Sequence, residues 1–218
     1  MKPLDLVVFD LDGTLVDTAP DIAGALAATL AEVGVRPPPL AAVKELVGDG
    51  ARALIARALA REGVERDVDP LLSRFLVHYA AHLCEGSRLY PGVPEALAGL
   101  RDAGLAAAVV TNKPGDLARG LLAELGVAAG FVAVIGDGDG FARKPDPAAA
   151  LSIIARLGTS GPRTAVIGDG LPDVKLARAL GARAIAAGWG YVAAERLRAE
   201  SPDALASSPG EAARLLTA

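Results

Sequence analysis

The chain has 218 residues, 52% of them hydrophobic, and a formal net charge of −4. It has no basic tract and only 4% aromatic residues, which argues against a nucleic-acid partner. No apolar stretch approaches the ~20 residues that a membrane-spanning helix needs, and the first residues are not typical of a signal peptide. We therefore expect a cytoplasmic protein, monomeric or homodimeric, whose partner is a small molecule rather than a membrane or a nucleic acid.

The first predicted element is a buried strand at residues 6–9, where four apolar residues run into a polar loop. Residues 16–88 then show helical periodicity, with apolar residues three or four apart in four successive pieces. Glycine and proline turns separate these pieces. The pattern predicts a compact helical unit inserted after the first strand.

Beyond residue 88 the pattern alternates between helices and strands. Helices are predicted at 93–103, 115–125, 147–157 and 172–180, and strands at 105–110, 131–135, 164–167 and 182–187, before one or two polar helices. Such alternation is typical of a parallel sheet covered on both faces. We predict an α/β fold with a Rossmann-like parallel sheet core at 1–15 and 89–218 and an inserted helical domain at 16–88.

Asp10 and Asp12 follow the first predicted strand and lie two residues apart. That spacing lets both side chains face one crevice at the carboxyl end of the strand, where open parallel sheets bind ligands. Two carboxylates so close repel each other unless a proton or a cation lies between them. A plain turn at Asp12-Gly13 is the alternative, but the complete string Asp-Leu-Asp-Gly-Thr-Leu-Val-Asp, ending at Asp17, favours a functional site.

Asp169 follows another predicted strand, and Asp173 comes four residues later. Pro172 suits the first turn of a helix, so both carboxylates are expected at one strand-to-helix junction. For Asp173, the alternative is that it merely complements the positive end of that helix.

Lys144 and the pair Thr111-Asn112 are the remaining candidates. Pro145 keeps Lys144 extended in a loop, although a solvated lysine is the usual alternative. Thr111 and Asn112 end the apolar strand at 105–110, where a hydroxyl and backbone N–H groups can line an anion site. A turn that caps the following helix is the alternative there.

Together these residues resemble the four motifs of the haloacid dehalogenase-like hydrolase superfamily, in order and at plausible spacing. The motifs correspond to Asp10–Asp17, Thr111, Lys144, and Gly168-Asp169 with Asp173. The resemblance covers essentially the whole chain and makes residues 16–88 a helical cap. Segments 90–93, 110–114, 144–147 and 188–191 are also similar to bacterial phosphoglycolate phosphatases.

The resemblance implies a magnesium-dependent phosphatase that hydrolyses a small phosphorylated metabolite through an aspartyl phosphate. The implied reaction converts 2-phosphoglycolate to glycolate and phosphate. Asp10 would be the nucleophile and Asp12 the acid and base. Mg²⁺ would be held by Asp10, the backbone carbonyl of Asp12 and Asp169.

The resemblance also implies supporting roles. Thr111, Asn112 and Lys144 would bind the transferring phosphoryl group. Asp173 would orient Lys144 or a metal-bound water, and the sequence does not choose between them. Gly170 stands where the family commonly has a serine or threonine, so a hydroxyl that could support the metal site is missing.

Three other hypotheses remain. A phosphosugar mutase or a phosphatase of another small metabolite could use the same fold and the same aspartates. A non-catalytic phosphate-binding module is a different class of protein, because fold alone does not fix function. The intact Asp10, Asp12 and Lys144 argue against that last hypothesis.

Overall fold

A computed structural model of the chain describes residues 4–217. Residues 1–3 and 218 of the predicted core lie outside the described part. The strands found there are β1 Leu6–Phe9, β2 Val16–Asp17, β3 Arg88–Leu89, β4 Ala106–Pro114, β5 Ala133–Asp137, β6 Thr164–Gly168, β7 Arg183–Ala187 and β8 Ala204–Ala206. The α-helices are α1 Ala19–Ala31, α2 Leu40–Leu46, α3 Ala51–Arg61, α4 Val68–Ala81, α5 Val93–Asp102, α6 Gly115–Glu124, α7 Ala148–Leu157, α8 Leu171–Leu180, α9 Ala194–Ala199 and α10 Pro209–Thr217.

Within residues 4–217, six strands form one parallel sheet in the order β5-β4-β1-β6-β7-β8. Strand β1 is central and pairs with β4 on one side and β6 on the other. Its side chains alternate between two buried clusters, with Val7 and Phe9 in one and Leu6 and Val8 in the other. Both faces of the sheet are therefore buried, and the predicted Rossmann-like α/β fold is confirmed.

Element boundaries differ from the predictions in a few places. Strand β4 continues four residues beyond its predicted end at 110, with an irregularity between Val110 and Pro114. Strand β8 was not predicted, because Ala204–Ala206 is short and has no β-branched or aromatic residue. The β2–β3 pair was also missed; it is antiparallel and joins Val16 to Leu89.

Helices α1 to α4 follow β2 and precede β3, as the periodicity predicted. Their inward faces share one apolar cluster, which includes Leu26, Ile55, Phe75 and Tyr79. Leu117 of α6 belongs to the same cluster, so these helices rest against the sheet region. The division of the chain into a core and an inserted cap stays a prediction. No helix in the described residues is long and apolar enough to cross a membrane.

Candidate active site

The predicted site residues meet at one edge of the sheet. Asp10 follows β1, Thr111 lies near the end of β4, and Asp169 follows β6. These three strands are neighbours and run in the same direction, so their carboxyl ends lie side by side. Asp173, in the first turn of α8, and Lys144, in the loop before α7, complete the group.

Asp10 is held firmly through one of its two carboxylate oxygens. Oδ1 accepts hydrogen bonds from the backbone N–H of Leu11 at 2.7 Å and pairs with Nζ of Lys144 at 2.8 Å. The residue is buried. Because both donors approach Oδ1, the orientation of the carboxylate is fixed.

Lys144 is buried rather than solvated, so the alternative of a surface lysine does not hold. Its ammonium pairs with Asp10 at 2.8 Å and donates to Oδ1 of Asp173 at 2.7 Å. Burial opposes the charge, but the two carboxylates outweigh it and raise the pKa of Lys144 above its usual range. Lys144 is therefore a permanent cation beside the carboxylate of Asp10.

Asn112 fixes the backbone on which Lys144 stands. Its Oδ1 accepts from the N–H of Lys144 at 2.8 Å, and its Nδ2 donates to the carbonyl of Gly48 at 3.0 Å. The side chain of Asn112 thus joins the loop that contains Lys144 to the turn before α3. Both ends of the amide therefore make contacts with the backbone. The predicted contact of Asn112 with a phosphoryl group stays a prediction.

Asp169 is enclosed by main chain and by one hydroxyl. Oδ1 accepts from Oγ1 of Thr14 at 2.8 Å and Oδ2 from the N–H of Tyr191 at 2.8 Å. A Cβ on Gly13, whose φ is +81°, would lie 2.3 Å from Oδ2, and one on Gly190 would lie 2.2 Å from the Asp169 Cβ. Only glycine permits this close approach, so the loops of β1 and β7 form a cradle around the carboxylate.

Asp173 has two roles in the structure. Its Oδ1 accepts from Lys144, and its Oδ2 accepts from the N–H of Gly170 at 3.0 Å, at the start of α8. The second contact is the helix-capping role that the sequence offered as an alternative. Of the two roles implied for Asp173 in the site, the observed contact favours orienting Lys144.

Asp10, Asp169 and Asp173 form a crowded group of buried carboxylates. One oxygen of each lies within 4.8 Å of the others. Burial raises the pKa of Asp10 to about 6, and the charges of Asp173 and Asp12 add to this against the pull of Lys144. Burial and the charge of Asp10 raise the pKa of Asp169 to about 7. An all-oxygen donor set with excess negative charge fits a hard divalent cation such as Mg²⁺.

Asp12 contacts a residue that the sequence analysis did not single out. Nζ of Lys113 donates to Oδ1 of Asp12 at 3.0 Å and also to the hydroxyl of Tyr79, and it lies 4.3 Å from the centroid of the Tyr79 ring. The Lys113 side chain is only 2% exposed. This ammonium joins the acid/base candidate to helix α4, which comes from the helical segment.

A cavity of about 470 Å³, including its opening to solvent, lies between the sheet edge and the helices. Its polar lining residues come mostly from the strand ends and its apolar ones mostly from the helical segment. The polar set is Asp10, Asp12, Thr111, Asn112, Lys113 and Tyr79, and the apolar side chains are Ile22, Val47, Ala51, Leu54, Phe75 and Pro114.

Tyr191 was also missed as an individual residue, although its segment entered the family resemblance. Its hydroxyl accepts from the N–H groups of Thr18 and Ala19 at 2.8 and 3.0 Å and donates to Oδ1 of Asp17 at 2.8 Å. Its backbone N–H bonds Asp169. One residue therefore connects the carboxylate cluster to the point where the chain enters α1, a contact across more than 170 positions that no local pattern reveals.

Comparisons with known proteins agree with this geometry. The family model of haloacid dehalogenase-like hydrolases matches residues 4–181. A phosphoglycolate phosphatase of Agrobacterium fabrum is 42% identical over 195 residues, covering 87% of this chain and 83% of that protein. An N-acetylmuramic acid 6-phosphate phosphatase of Pseudomonas aeruginosa is 36% identical, covering 87% and 84%. The crystal structure of a predicted phosphoglycolate phosphatase from Haemophilus somnus has a TM-score of 0.90 at 27% identity, covering 99% of each chain.

The chain therefore belongs to the haloacid dehalogenase-like hydrolase family, and the resemblance drawn from its motifs is confirmed. It is an enzyme of the phosphatase class, a phosphoric monoester hydrolase.

Proposed function

We propose that the protein is a magnesium-dependent phosphatase that hydrolyses a small phosphomonoester through an aspartyl phosphate on Asp10, with 2-phosphoglycolate as the substrate. The observation that carries this proposal is the carboxylate of Asp10, which lines the cavity and is oriented by Leu11 and Lys144 beside Asp169. The helical segment would act as a cap that excludes bulk water from this cavity.

The metal would be held by Asp10, Asp169 and the backbone carbonyl of Asp12. When bound, Mg²⁺ supplies the positive charge that lets an anionic carboxylate approach an anionic phosphate. The proposal places Asp173 outside this ligand set, because its Oδ1 accepts from the ammonium of Lys144 at 2.7 Å and so gives it the role of holding that lysine.

In the first step, a carboxylate oxygen of Asp10 attacks phosphorus, and the bond between phosphorus and the ester oxygen breaks. Asp12 donates a proton to the departing oxygen, which leaves as an alcohol. In the second step, Asp12 takes a proton from water, whose oxygen attacks the aspartyl phosphate. Phosphate leaves, and Asp10 and Asp12 return to their starting forms.

Lys144 and Thr111 act on the oxygens of the transferring group. Lys144 is fixed between Asp10 and Asp173, so its charge is in place before the substrate arrives. Thr111 lines the cavity floor near the end of β4. Asp173 serves as a positioning residue that holds the lysine.

Two groups of relatives bear on the substrate. Phosphoglycolate phosphatases from several bacteria are 35–42% identical to this chain. The N-acetylmuramic acid 6-phosphate phosphatase shows that similar chains also serve bulkier sugar phosphates. The apolar side chains that the helical segment contributes to the cavity favour the smaller substrate, 2-phosphoglycolate. A phosphosugar mutase on the same fold is the second candidate.

The proposal predicts that Asp10→Asn lowers kcat for 2-phosphoglycolate by about 10⁴-fold or more, because the nucleophile is lost. The melting temperature should stay the same or rise, since a buried carboxylate with a raised pKa is replaced by a neutral amide. Phosphate release and thermal unfolding measure the two effects. Asp102→Asn is the matched control, because Asp102 is exposed and bonds its neighbour Arg101.

Chelation should abolish phosphate release, and added Mg²⁺ should restore it. A panel of phosphomonoesters then ranks specificity constants, with 2-phosphoglycolate expected to rank first. An isomerised sugar phosphate formed only with a bisphosphate activator would instead identify a mutase. No phosphate release from any member of the panel with Mg²⁺ present would contradict the proposed function.

A further inference from the structure

We propose that Lys113 determines substrate specificity by binding a carboxylate on the leaving group. The site would then select phosphomonoesters whose carboxylate is one methylene away from the ester oxygen. This inference rests on the proposed function and concerns a residue to which the catalytic steps give no role.

The position of Lys113 beside Asp12 is the first argument. Its Nζ donates to Oδ1 of Asp12 at 3.0 Å, and Asp12 is the residue that protonates the leaving oxygen in the proposed reaction. The ammonium therefore stands next to the place where the leaving group departs. In 2-phosphoglycolate a single methylene links the ester oxygen to the carboxyl carbon, so a carboxylate oxygen falls within reach of the same cation.

The donor count of the ammonium is the second argument. A lysine ammonium has three N–H donors, and in the described structure one faces Asp12 and another faces the hydroxyl of Tyr79. The third remains for a ligand in the cavity. The Lys113 side chain is 2% exposed, so water competes weakly for it, and an anion there gains a charge-assisted bond in a low dielectric.

The rest of the cavity is the third argument. Lys113 is the one cationic residue among the described lining residues, and Lys144 is already shared by Asp10 and Asp173. The wall facing the floor is apolar, with Ile22, Leu54 and Phe75 among its residues. A hydroxyl-rich leaving group would lose its hydrogen bonds to water against this wall without replacing them. A small leaving group with one negatively charged group fits both the ammonium of Lys113 and the apolar wall.

The wild-type enzyme provides a test that needs no variant. Ethyl phosphate has the same length as 2-phosphoglycolate but no charge on the leaving group, and phosphoethanolamine places a cation there. We expect kcat/KM for 2-phosphoglycolate to exceed that for ethyl phosphate by about 100-fold, as for a desolvated charge pair, and phosphoethanolamine to be the poorest.

Lys113→Met separates binding of the leaving group from positioning of Asp12. We expect kcat/KM to fall about 100-fold more for 2-phosphoglycolate than for ethyl phosphate, mainly through KM. Lys113→Arg keeps the charge and should recover part of the preference. Lys175→Met is the matched control, because Lys175 is a half-exposed lysine outside this cavity and should behave as wild type.

The outcomes are distinct. If Lys113→Met lowers kcat/KM equally for both substrates, Lys113 only positions Asp12 and the inference is overturned. It is also overturned if the wild type hydrolyses ethyl phosphate as well as 2-phosphoglycolate, although the proposed function would then stand. If the wild type hydrolyses neither these nor other phosphomonoesters, the proposed function itself fails. Should Lys113→Met not fold, the wild-type substrate series and Lys113→Arg decide the question.

Discussion

The two surfaces that enclose the cavity are built differently. At the sheet edge, Asp10, Lys144, Asp169 and Asp173 are buried, charged and each held by at least two hydrogen bonds or ion pairs. The helical segment faces them with mostly apolar side chains packed in their own cluster. From α4, the Tyr79 hydroxyl accepts a hydrogen bond from the ammonium of Lys113 at the sheet edge.

This difference suggests that the two surfaces have separate functions, one in phosphoryl transfer and the other in substrate selection. Groups that must keep a fixed geometry during phosphoryl transfer lie on the rigid strand ends, where several neighbours hold each one. Groups that choose the leaving group lie mainly on the helices, where one side chain can be replaced without moving the aspartates. Lys113, near the end of β4, is the exception. Apart from Lys113, changes at the sheet edge should therefore affect turnover of all substrates, and changes in the helices should affect which substrate is preferred.

Among changes that leave every catalytic side chain in place, Gly13→Ala should have the largest effect, because it alters the packing around the sheet-edge cluster. The added Cβ would lie 2.3 Å from Oδ2 of Asp169, and the φ of +81° disfavours any side chain. We expect kcat/KM to fall about 100-fold for every substrate, as for an active-site displacement of about 1 Å. Stability should fall by about 1–2 kcal/mol from backbone strain. Kinetics and thermal unfolding measure the two effects.

Gly34→Ala is the matched control, since Gly34 has a φ of +69° but nothing within 4 Å of its would-be Cβ. It lies just after α1, so it carries similar strain in the helical segment. It should lose stability and keep its activity. Equal activity of the two variants would show that Gly13 matters only for backbone conformation.

The contrast between the two surfaces also explains what the sequence could predict. The strand at Leu6–Phe9 is a continuous apolar run and the four helices show helical periodicity, so both were found. The convergence of Asp10 and Asp169 followed from parallel strands that end at one edge. Lys113 was missed because the direction of its side chain depends on the irregularity in β4, which a sequence pattern does not show. Tyr191 was missed because its partners lie 172–174 positions away.

Leu54→Ala should have an intermediate effect that is specific to the leaving group. Leu54 lines the cavity and is buried, so its truncation enlarges the cavity. We expect phosphomonoesters with bulkier leaving groups to gain about tenfold in kcat/KM relative to 2-phosphoglycolate. Stability should fall by about 2–3 kcal/mol. A substrate series of increasing leaving-group size provides the measurement.

Leu59→Ala provides the comparison for that variant. Leu59 is equally buried on the same helix, but it is not among the lining residues. It should lose similar stability without any change in substrate preference. A similar shift in preference in both variants would mean that loosening of the helical segment, rather than cavity shape, sets selectivity.

Glu32→Gln should have the smallest effect, because Glu32 lies on the helical segment away from the cavity. Bonds from Arg74 and His78 lower the pKa of Glu32 to about 2 from its usual 4.5. A depressed pKa stabilises the folded state above the unfolded value, and that contribution is lost as the pH falls from about 4.5 to about 2. The variant should therefore melt about 2 °C below wild type at pH 7, and the gap should close in acid. Glu62→Gln, which removes a pair with the exposed Arg36, should give a smaller gap at pH 7. Turnover of 2-phosphoglycolate should be unchanged in both variants, and a change in its kcat would contradict the separation between the surface of the helices and the chemistry at the sheet edge.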